Sequence, residues 1–333
     1  MTFEDQRVLI LDKSDVERLL TIDDCIELMA ATLAGLQQGA FHQPLRMIVR
    51  PPEAKGLLGL MPAYRANEPA AYGLKAICVF PQNPSMGKDA HQGSVMLFSG
   101  DTGELLSLMN ASPITAVRTA AVSAVATRLL AREDASELAI VGAGVQARSH
   151  LPALAAVRPI KRTRVVSRTR EHADLFVSEM KGRFSFEIIA VDTAREALDG
   201  ADIIVTVTNS HKPVIEREWV SPGSHINAIG THSAAGREID GATMAAARLF
   251  VDRRESALNE AGDFVLAIKE GLISSDNIVA ELGELLIGTK RGRESEEEIT
   301  LFKSLGLAVE DLASAEYLFR KAQEEGAGTW VRF

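Results

Sequence analysis

The chain has 333 residues, of which 46% are hydrophobic, and a formal net charge of -9. This length exceeds the usual size of one hydrophobic core, so we expect two domains, and the acidic balance disfavours nucleic acid because phosphate binding needs clustered Lys and Arg. No apolar run approaches the length of a membrane span, the first residues MTFEDQRVLI lack a signal-peptide pattern, and Cys25 and Cys78 have no metal-ligand spacing around them. These features predict a cytoplasmic protein with no membrane partner, no metal and two cysteines buried as packing residues.

The first 130 residues predict a mixed domain. The strand RVLIL is followed by two helix starts, at Ser14 and at Thr21, where a side-chain acceptor can cap the first N–H groups. From Arg46 to Met109, short β-like runs alternate with Pro, Gly and Asn turns, and SGDTGELLSLM predicts a hairpin. The pattern indicates an antiparallel sheet or small barrel, which the long Ala-rich helix ITAVRTAAVSAVATRLL follows.

After Glu137 the sequence pattern predicts strands and helices in alternation. Apolar runs such as LAIVGAG, TRVVSRT, FEIIAV, DIIVTVT, SHINAIG and ARLFVD are separated by helical segments. Buried Ile/Val runs with this spacing are typical of a doubly wound parallel sheet. The tail, residues 294–326, is predicted to be helical, to add no strand and to return to the first domain.

A glycine turn joins the first of these strands to its helix in ELAIVGAGVQARSH. In this context Gly142 permits the tight turn, Gly144 lets a pyrophosphate approach the helix N-terminus, and Ala147 is small enough for helix–strand packing. The next strand ends in Ser167–Thr169 and has no carboxylate for a ribose 2′-OH. Arg168 suits a 2′-phosphate, which favours NADP(H) over NAD(H), although it could instead be a solvated surface cation.

Three basic residues lie in unusual surroundings in the first 120 residues: Arg46, Lys75 and Arg118. Arg118 interrupts a helix of small and apolar residues, where a cation needs a partner. For any one of the three, a buried ion pair is the simpler explanation. Together they indicate a pocket for a small carboxylate, with an Arg fork for the anion and a Lys whose pKa can move.

Several segments resemble one known family, in order and over nearly the whole chain. They are Lys75 with FPQN, HQGSVMLFSGDTGE, ITAVRTAAVSAVAT, IVGAGVQARSHL, GREID and ITLFKSLGLAVEDLA. These segments strongly resemble the ornithine cyclodeaminase/mu-crystallin family. The resemblance implies a homodimer whose Rossmann doubly wound parallel sheet, residues 126–306, is inserted into an α+β substrate-binding and dimerisation domain, residues 1–125 plus 307–333.

The resemblance also implies roles for individual residues. Arg46, Lys75 and Arg118 match the family's cations for the substrate carboxylate, and Lys75 is expected to be catalytic. The residues expected to line the cofactor are Arg118, Thr119, Gly142, Gly144, Val145, Gln146, Ser167, Arg168, Thr169, Thr208, Ile229, Gly230, Thr231, His232 and Ser304.

One departure from the family pattern bears on the reaction. Where the cyclodeaminases have an Asp that serves as acid/base, this chain has His232, which either transfers a proton or only lines the cofactor site. The replacement is characteristic of the family's reductases and dehydrogenases, which act on ketimines, pyrroline-2-carboxylate, iminosuccinate or alanine. We therefore expect NAD(P)H-dependent reduction of a small α-imino acid, cyclic or acyclic, or the reverse dehydrogenation. The alternatives are an NAD-dependent cyclodeaminase, a hydroxyproline dehydratase-type elimination, and a non-catalytic NADP-binding crystallin-like protein.

Overall fold

The computed structural model describes residues 7–333. The chain forms two compact units: the first consists of residues up to 118 together with 306–333, and the second of residues 119–305. The boundaries predicted from the sequence lie after residues 125 and 306. Within the described range, no helix is both long enough and apolar enough to cross a membrane.

The elements are as follows, in chain order. The chain up to residue 130 forms β1 (Arg7–Leu11), α1 (Lys13–Leu19), α2 (Ile22–Gln37), β2 (Phe41–His42), β3 (Met47–Val49), β4 (Leu57–Arg65), β5 (Ala71–Val79), β6 (His91–Ser99), β7 (Leu105–Asn110) and α3 (Ala111–Leu130). The middle forms β8 (Glu137–Val141), α4 (Val145–Val157), β9 (Arg162–Val166), α5 (Arg170–Met180), β10 (Glu187–Ala190), α6 (Ala194–Leu198), β11 (Ile203–Thr206), β12 (His225–Ala228), α7 (Gly241–Ala246), β13 (Arg248–Val251), α8 (Arg254–Glu260), α9 (Gly262–Lys269), β14 (Ile278–Glu281), α10 (Leu282–Leu286) and β15 (Thr300–Lys303). The chain ends with α11 (Ala308–Glu325) and β16 (Thr329–Arg332).

The sheet of the first unit has the order β16-β1-β7-β6-β5-β4-β2, with β3 also paired to β4. Neighbouring strands from β4 to β7 are antiparallel, as predicted, whereas β1 runs parallel to β7. Side chains on a strand alternate between the two faces of the sheet. On β5, Lys75 and Ile77 therefore share the more buried face, and Cys78 lies on the other. Cys25 is buried, as predicted, whereas Cys78 is only partly buried. The prediction that both cysteines are buried packing residues is therefore wrong for Cys78, which lies on the less buried face of β5.

The two predicted helix starts differ in their outcome. Helix α2 begins after Thr21, whose side chain accepts a hydrogen bond from the Asp24 N–H, as expected. The prediction for α1 is wrong, because its N-cap is Asp12, which forms a capping box with Asp15. The Asp12 carboxylate caps the helix because it is a stronger acceptor than the Ser14 hydroxyl, which itself donates to Asp12 Oδ1 over 2.8 Å.

The second unit contains a parallel sheet of the order β10-β9-β8-β11-β12-β15-β13-β14, which confirms the predicted doubly wound fold. The chain adds β9 and β10 on one side of β8 and then returns to add β11 and β12 on the other side. The predicted tail is wrong at one point, because residues 300–303 form β15 between β12 and β13. This strand has four residues, all buried, beside an acidic run, and so short an apolar segment has no readable period.

Candidate functional site

The catalytic lysine expected from the sequence lies under the first turn of α11. Lys75 Nζ is 2.8 Å from Asp311 Oδ2, and the two side chains are 3% and 1% exposed. Gly73 lies two residues before Lys75 on the same face of β5, and a Cβ there would be 3.0 Å from the Leu312 side chain. The absence of a side chain at Gly73 thus lets α11 pack closely on β5 and brings Asp311 to the lysine.

Arg118 of α3 contacts the same helical turn. Its Nη1 is 2.8 Å from Glu310 Oε2, and its Nε donates to Asp311 Oδ1 over 3.3 Å. Asp311 therefore bridges Lys75 and Arg118 with its two oxygens. Glu310 and Asp311 are buried in the first turn of α11, where the helix dipole also favours negative charge.

Arg46 reaches this cluster through the backbone that precedes α11. Its Nη2 donates to the Gly306 carbonyl over 2.9 Å. Gly306 has a φ of +76°, and a Cβ there would be 2.3 Å from Arg118 Nη1. The structure thus brings the three predicted cations to one place, and it pairs Lys75 and Arg118 with carboxylates, as the ion-pair alternative required.

The surroundings of Lys75 change its acidity. Burial, and then the charge of Arg118, lower the pKa of Lys75 to about 8, with a smaller contribution from Arg46 and opposition from Asp311. An ammonium group with such a pKa gives up its proton near neutral pH. The cluster counts three cations against two carboxylates, so it carries an excess positive charge that suits one anionic carboxylate ligand.

The glycine turn of the second unit has the geometry that a dinucleotide requires. Gly142 has a φ of +113°, and a Cβ there would be 2.8 Å from the Val207 carbonyl oxygen. Gly144 precedes α4, has no side-chain cap, and has no atom within 4 Å of the position of a Cβ. Gly144 and Val145 are exposed at the start of this 13-residue helix, whose first N–H groups have no partner within the helix. With Ala147 fully buried against the sheet, the turn fits a pyrophosphate.

The end of β9 presents two arginines in different states. Arg168 is exposed, and it forms no hydrogen bond or ion pair with any part of the chain that the structure describes. Arg170 is held by Asp174 Oδ1 over 2.9 Å and by Asp192 Oδ1 over 2.5 Å. Of these two guanidinium groups, that of Arg168 is the one open to a ligand, and Ser167 and Thr169 are its neighbours in the chain.

A buried carboxylate joins the ends of β11 and β12. Glu238 Oε1 accepts from the Thr208 N–H over 2.6 Å and from the Thr208 hydroxyl over 2.7 Å. Its Oε2 accepts from the Gly230 N–H over 2.7 Å and from the Thr206 hydroxyl over 2.9 Å. A Cβ at Gly230 would be 2.0 Å from the Thr208 carbonyl oxygen, so the two strand ends approach closely only because this residue is glycine.

The other residues predicted to line the cofactor differ in exposure. Thr119, Ile229, Thr231 and Ser304 are buried, Val145 is 58% exposed, Gln146 is partly buried, and His232 is exposed. Three acids that organise these sites, Glu238, Glu310 and Asp311, were not among the predicted site residues. Among the described residues, no group of His, Cys, Asp and Glu could hold a metal ion.

Comparisons with known proteins agree on one family. The model of the ornithine cyclodeaminase/mu-crystallin family matches residues 6–326. The chain is 38% identical over 327 residues to a Delta(1)-pyrroline-2-carboxylate reductase of Bacillus cereus, with 98% of this chain and 100% of that protein covered. It is 41% identical over 294 residues to the ketimine reductase mu-crystallin of Mus musculus, with 88% and 90% covered.

The solved structures give the same result. The structure of Thermococcus litoralis Delta(1)-pyrroline-2-carboxylate reductase in complex with NADH and L-proline matches with a TM-score of 0.94 and 39% identity, over 97% of this chain and 99% of that one. Since the family model and both relatives span most of the chain, the resemblance inferred from the sequence is confirmed. The chain belongs to the ornithine cyclodeaminase/mu-crystallin family.

Proposed function

We propose that the protein is an NAD(P)-dependent oxidoreductase that reduces a small α-imino acid to the amino acid, or catalyses the reverse dehydrogenation. The reductase relatives support this reaction. The observation that carries the proposal is Lys75, a buried ammonium with a pKa lowered to about 8 that lies among Arg118, Arg46 and Asp311. Such a group can both hold a carboxylate and release a proton.

The residues of the first unit act on the substrate. Its carboxylate binds to Arg46 and Arg118, which fixes the orientation of the C=N group. When bound, the reduced nicotinamide supplies the hydride that adds to the imine carbon. Lys75 Nζ gives one proton to the imine nitrogen, so that one hydride and one proton together convert C=N into CH–NH. Lys75 is left neutral and takes its next proton from solvent.

The preferred substrate is a cyclic ketimine such as pyrroline-2-carboxylate, with an acyclic imine such as iminosuccinate as the other member of the class. Both relatives and the matched structure are named for cyclic or ketimine substrates. His232 follows β12, is exposed, and stands where the cyclodeaminases have an acid/base Asp. In this proposal it assists proton transfer in reduction, and its replacement of the Asp counts against ammonia elimination.

The cofactor preference is part of the proposal. A nicotinamide dinucleotide fits the turn at Gly144, and the matched Thermococcus litoralis reductase is named with NADH. Arg168, which is exposed and lies between Ser167 and Thr169 in the chain, supports NADP(H) over NAD(H), since a guanidinium pairs with a 2′-phosphate in bidentate fashion. The homodimer and the cytoplasmic location stay predictions.

The test of the reaction is turnover by a Lys75→Ala variant. With imino acids and reduced cofactor, the near-ultraviolet absorbance of the reduced nicotinamide should fall with the wild-type protein. With the variant the rate should drop by about 100-fold or more, because the proton donor is lost, while cofactor affinity stays near normal. The matched control is Lys55→Ala, which removes an exposed lysine of the same unit.

Three outcomes would contradict the proposal. Full turnover by the Lys75→Ala variant would remove the proton-donor role. Release of ammonia from an amino acid without net consumption of reduced cofactor would indicate a cyclodeaminase. Binding of the dinucleotide with no turnover of any imino acid would indicate a non-catalytic binding protein.

A further inference from the structure

Four donors converge on the Glu238 carboxylate, and their geometry favours its ionised form. One backbone N–H points at each oxygen, from Thr208 and from Gly230, and a backbone amide can only donate. Both distances, 2.6 and 2.7 Å, are short, as is typical of hydrogen bonds to a charged acceptor. Burial raises the pKa of Glu238, and the charge of Lys303 and the hydrogen bonds from Thr208 act in the opposite direction.

The charges near Glu238 do not neutralise the negative charge of its carboxylate. Lys303 Nζ is 2.9 Å from Asp263 Oδ2, and both side chains are fully buried. The other Asp263 oxygen accepts from the Glu238 and Ile239 N–H groups over 2.8 and 3.0 Å. The cluster therefore contains two carboxylates and one ammonium, and it has one net negative charge beneath the ends of β11 and β12.

The strand order indicates which half of a bound dinucleotide would lie near this charge. The sheet reverses between β8 and β11, and the two halves of such a sheet each take one nucleotide half. The glycine turn and the β9 end belong to the first half and suit the pyrophosphate and the adenosine. We therefore expect the nicotinamide half to lie over the ends of β11 and β12. There, the N–H groups of Thr208 and Gly230 already donate to Glu238 and do not serve a phosphate.

We infer that the buried Glu238 carboxylate favours the oxidised, positively charged nicotinamide ring over the reduced, neutral ring. A fixed charge in a water-poor site acts more strongly than one in water. The same carboxylate stabilises the positive charge that develops on the ring as hydride leaves, and it therefore favours hydride donation in the reducing direction. This inference rests on the proposed function only in taking a nicotinamide dinucleotide as the ligand.

The first test uses the wild-type protein and two ligands of the same shape. Benzamide adenine dinucleotide has a carbon in place of the charged ring nitrogen of NAD+. Calorimetric titration should give a dissociation constant for NAD+ that is lower than that of the neutral isostere by a factor on the order of ten. Equal affinities would overturn the inference.

The second test separates the charge of Glu238 from its hydrogen bonds. In the Glu238→Gln variant, the ratio of the dissociation constants of oxidised to reduced cofactor should rise by a factor of about ten. The Glu238→Asp variant keeps the charge and should weaken both forms alike. Equal weakening of both forms in the Gln variant would mean that Glu238 only positions the two strand ends. Neither titration contains imino acid. The ratio of the two dissociation constants therefore tests the role of Glu238 even if the protein does not turn over any imino acid.

Discussion

Replacing Asp311 by Asn is expected to lower the pKa of Lys75 while the Lys75 side chain keeps its position in the fold. Asp311 Oδ2 is 2.8 Å from Lys75 Nζ, and its negative charge and hydrogen bond raise the pKa of Lys75 against the effect of burial. Asn has nearly the same shape as Asp and no charge. The substitution therefore removes the interaction that keeps Lys75 protonated, while the positive charges of Arg118 and Arg46 remain.

The size of the effect follows from the contact distance. An opposite charge this close raises the pKa of an ammonium by roughly one to three pH units, and its loss lowers the pKa by the same amount. Starting from a pKa of about 8, about three quarters of Lys75 is protonated at pH 7.5. With a pKa lower by about two, roughly one part in thirty is protonated, so kcat/KM at this pH should fall by about 25-fold.

The assay is the pH dependence of kcat/KM for the imino acid with saturating reduced cofactor. In the wild-type protein, activity should decline as the pH rises through about 8, because neutral Lys75 has no proton to give. In the Asp311→Asn variant this decline should begin about two pH units lower. A variant that loses activity equally at every pH, with the descending limb unmoved, would refute the idea that Asp311 sets the acidity of Lys75.

Three further changes test other parts of the structure. Arg168→Ala should raise the dissociation constant of NADPH by about tenfold and leave that of NADH unchanged. The control is Arg170→Ala, which should change neither constant because the Arg170 guanidinium is already paired with Asp174 and Asp192. Equal effects of Arg168→Ala on both cofactors would contradict the 2′-phosphate role. His150 is buried, its Nδ1 donates to the Gln146 carbonyl, its Nε2 lies 2.9 Å from Ser123 Oγ, and burial lowers its pKa to about 4. Because the unfolded chain binds this proton near pH 6.5 and the folded chain does not, urea unfolding should show a loss of about 3 kcal/mol as the pH falls from 6.5 to 4, and a His150→Gln variant should lose less over the same interval. Gly306→Ala should cost about 1–3 kcal/mol through its left-handed backbone and should also raise KM, because the new Cβ meets the α3 guanidinium. Gly326→Ala, with a φ of +65° and open space around it, should show the strain alone, and an equal rise in KM there would speak against a specific contact at Gly306.

The parts of the fold that the sequence predicts well are those built from local patterns. The glycine turn at Gly142, the apolar strands on both sides of it and the helix cap at Thr21 each depend on residues within a few positions of one another. Strand β15 was missed because its four residues carry no period, and its place in the sheet depends on β12 and β13. Local preference does not specify such a distant pairing.

The predicted cations were found through their unusual sequence surroundings, whereas their partners gave no such signal. Arg118 stands out because it interrupts an apolar helix. Asp311 lies 193 residues away, in the first turn of α11, where acidic residues are common because of the helix dipole. Nothing in the segment VEDLA separates a helix-terminal acid that faces solvent from one that bridges two buried cations. That distinction depends on the packing of α11 against β5.

The two charge clusters, buried apart from the partly exposed Arg46, have opposite excess charge, and this matches the charges of the ligands proposed for them. In the first unit, Arg46, Lys75 and Arg118 outnumber the carboxylates of Glu310 and Asp311 by one. In the second unit, Glu238 and Asp263 outnumber Lys303 by one. A buried net charge is costly unless a ligand offsets it. The carboxylate of the imino or amino acid would neutralise the first cluster, and the oxidised nicotinamide that imine reduction produces would neutralise the second. A substrate without a carboxylate should therefore bind poorly, whatever the shape of its ring.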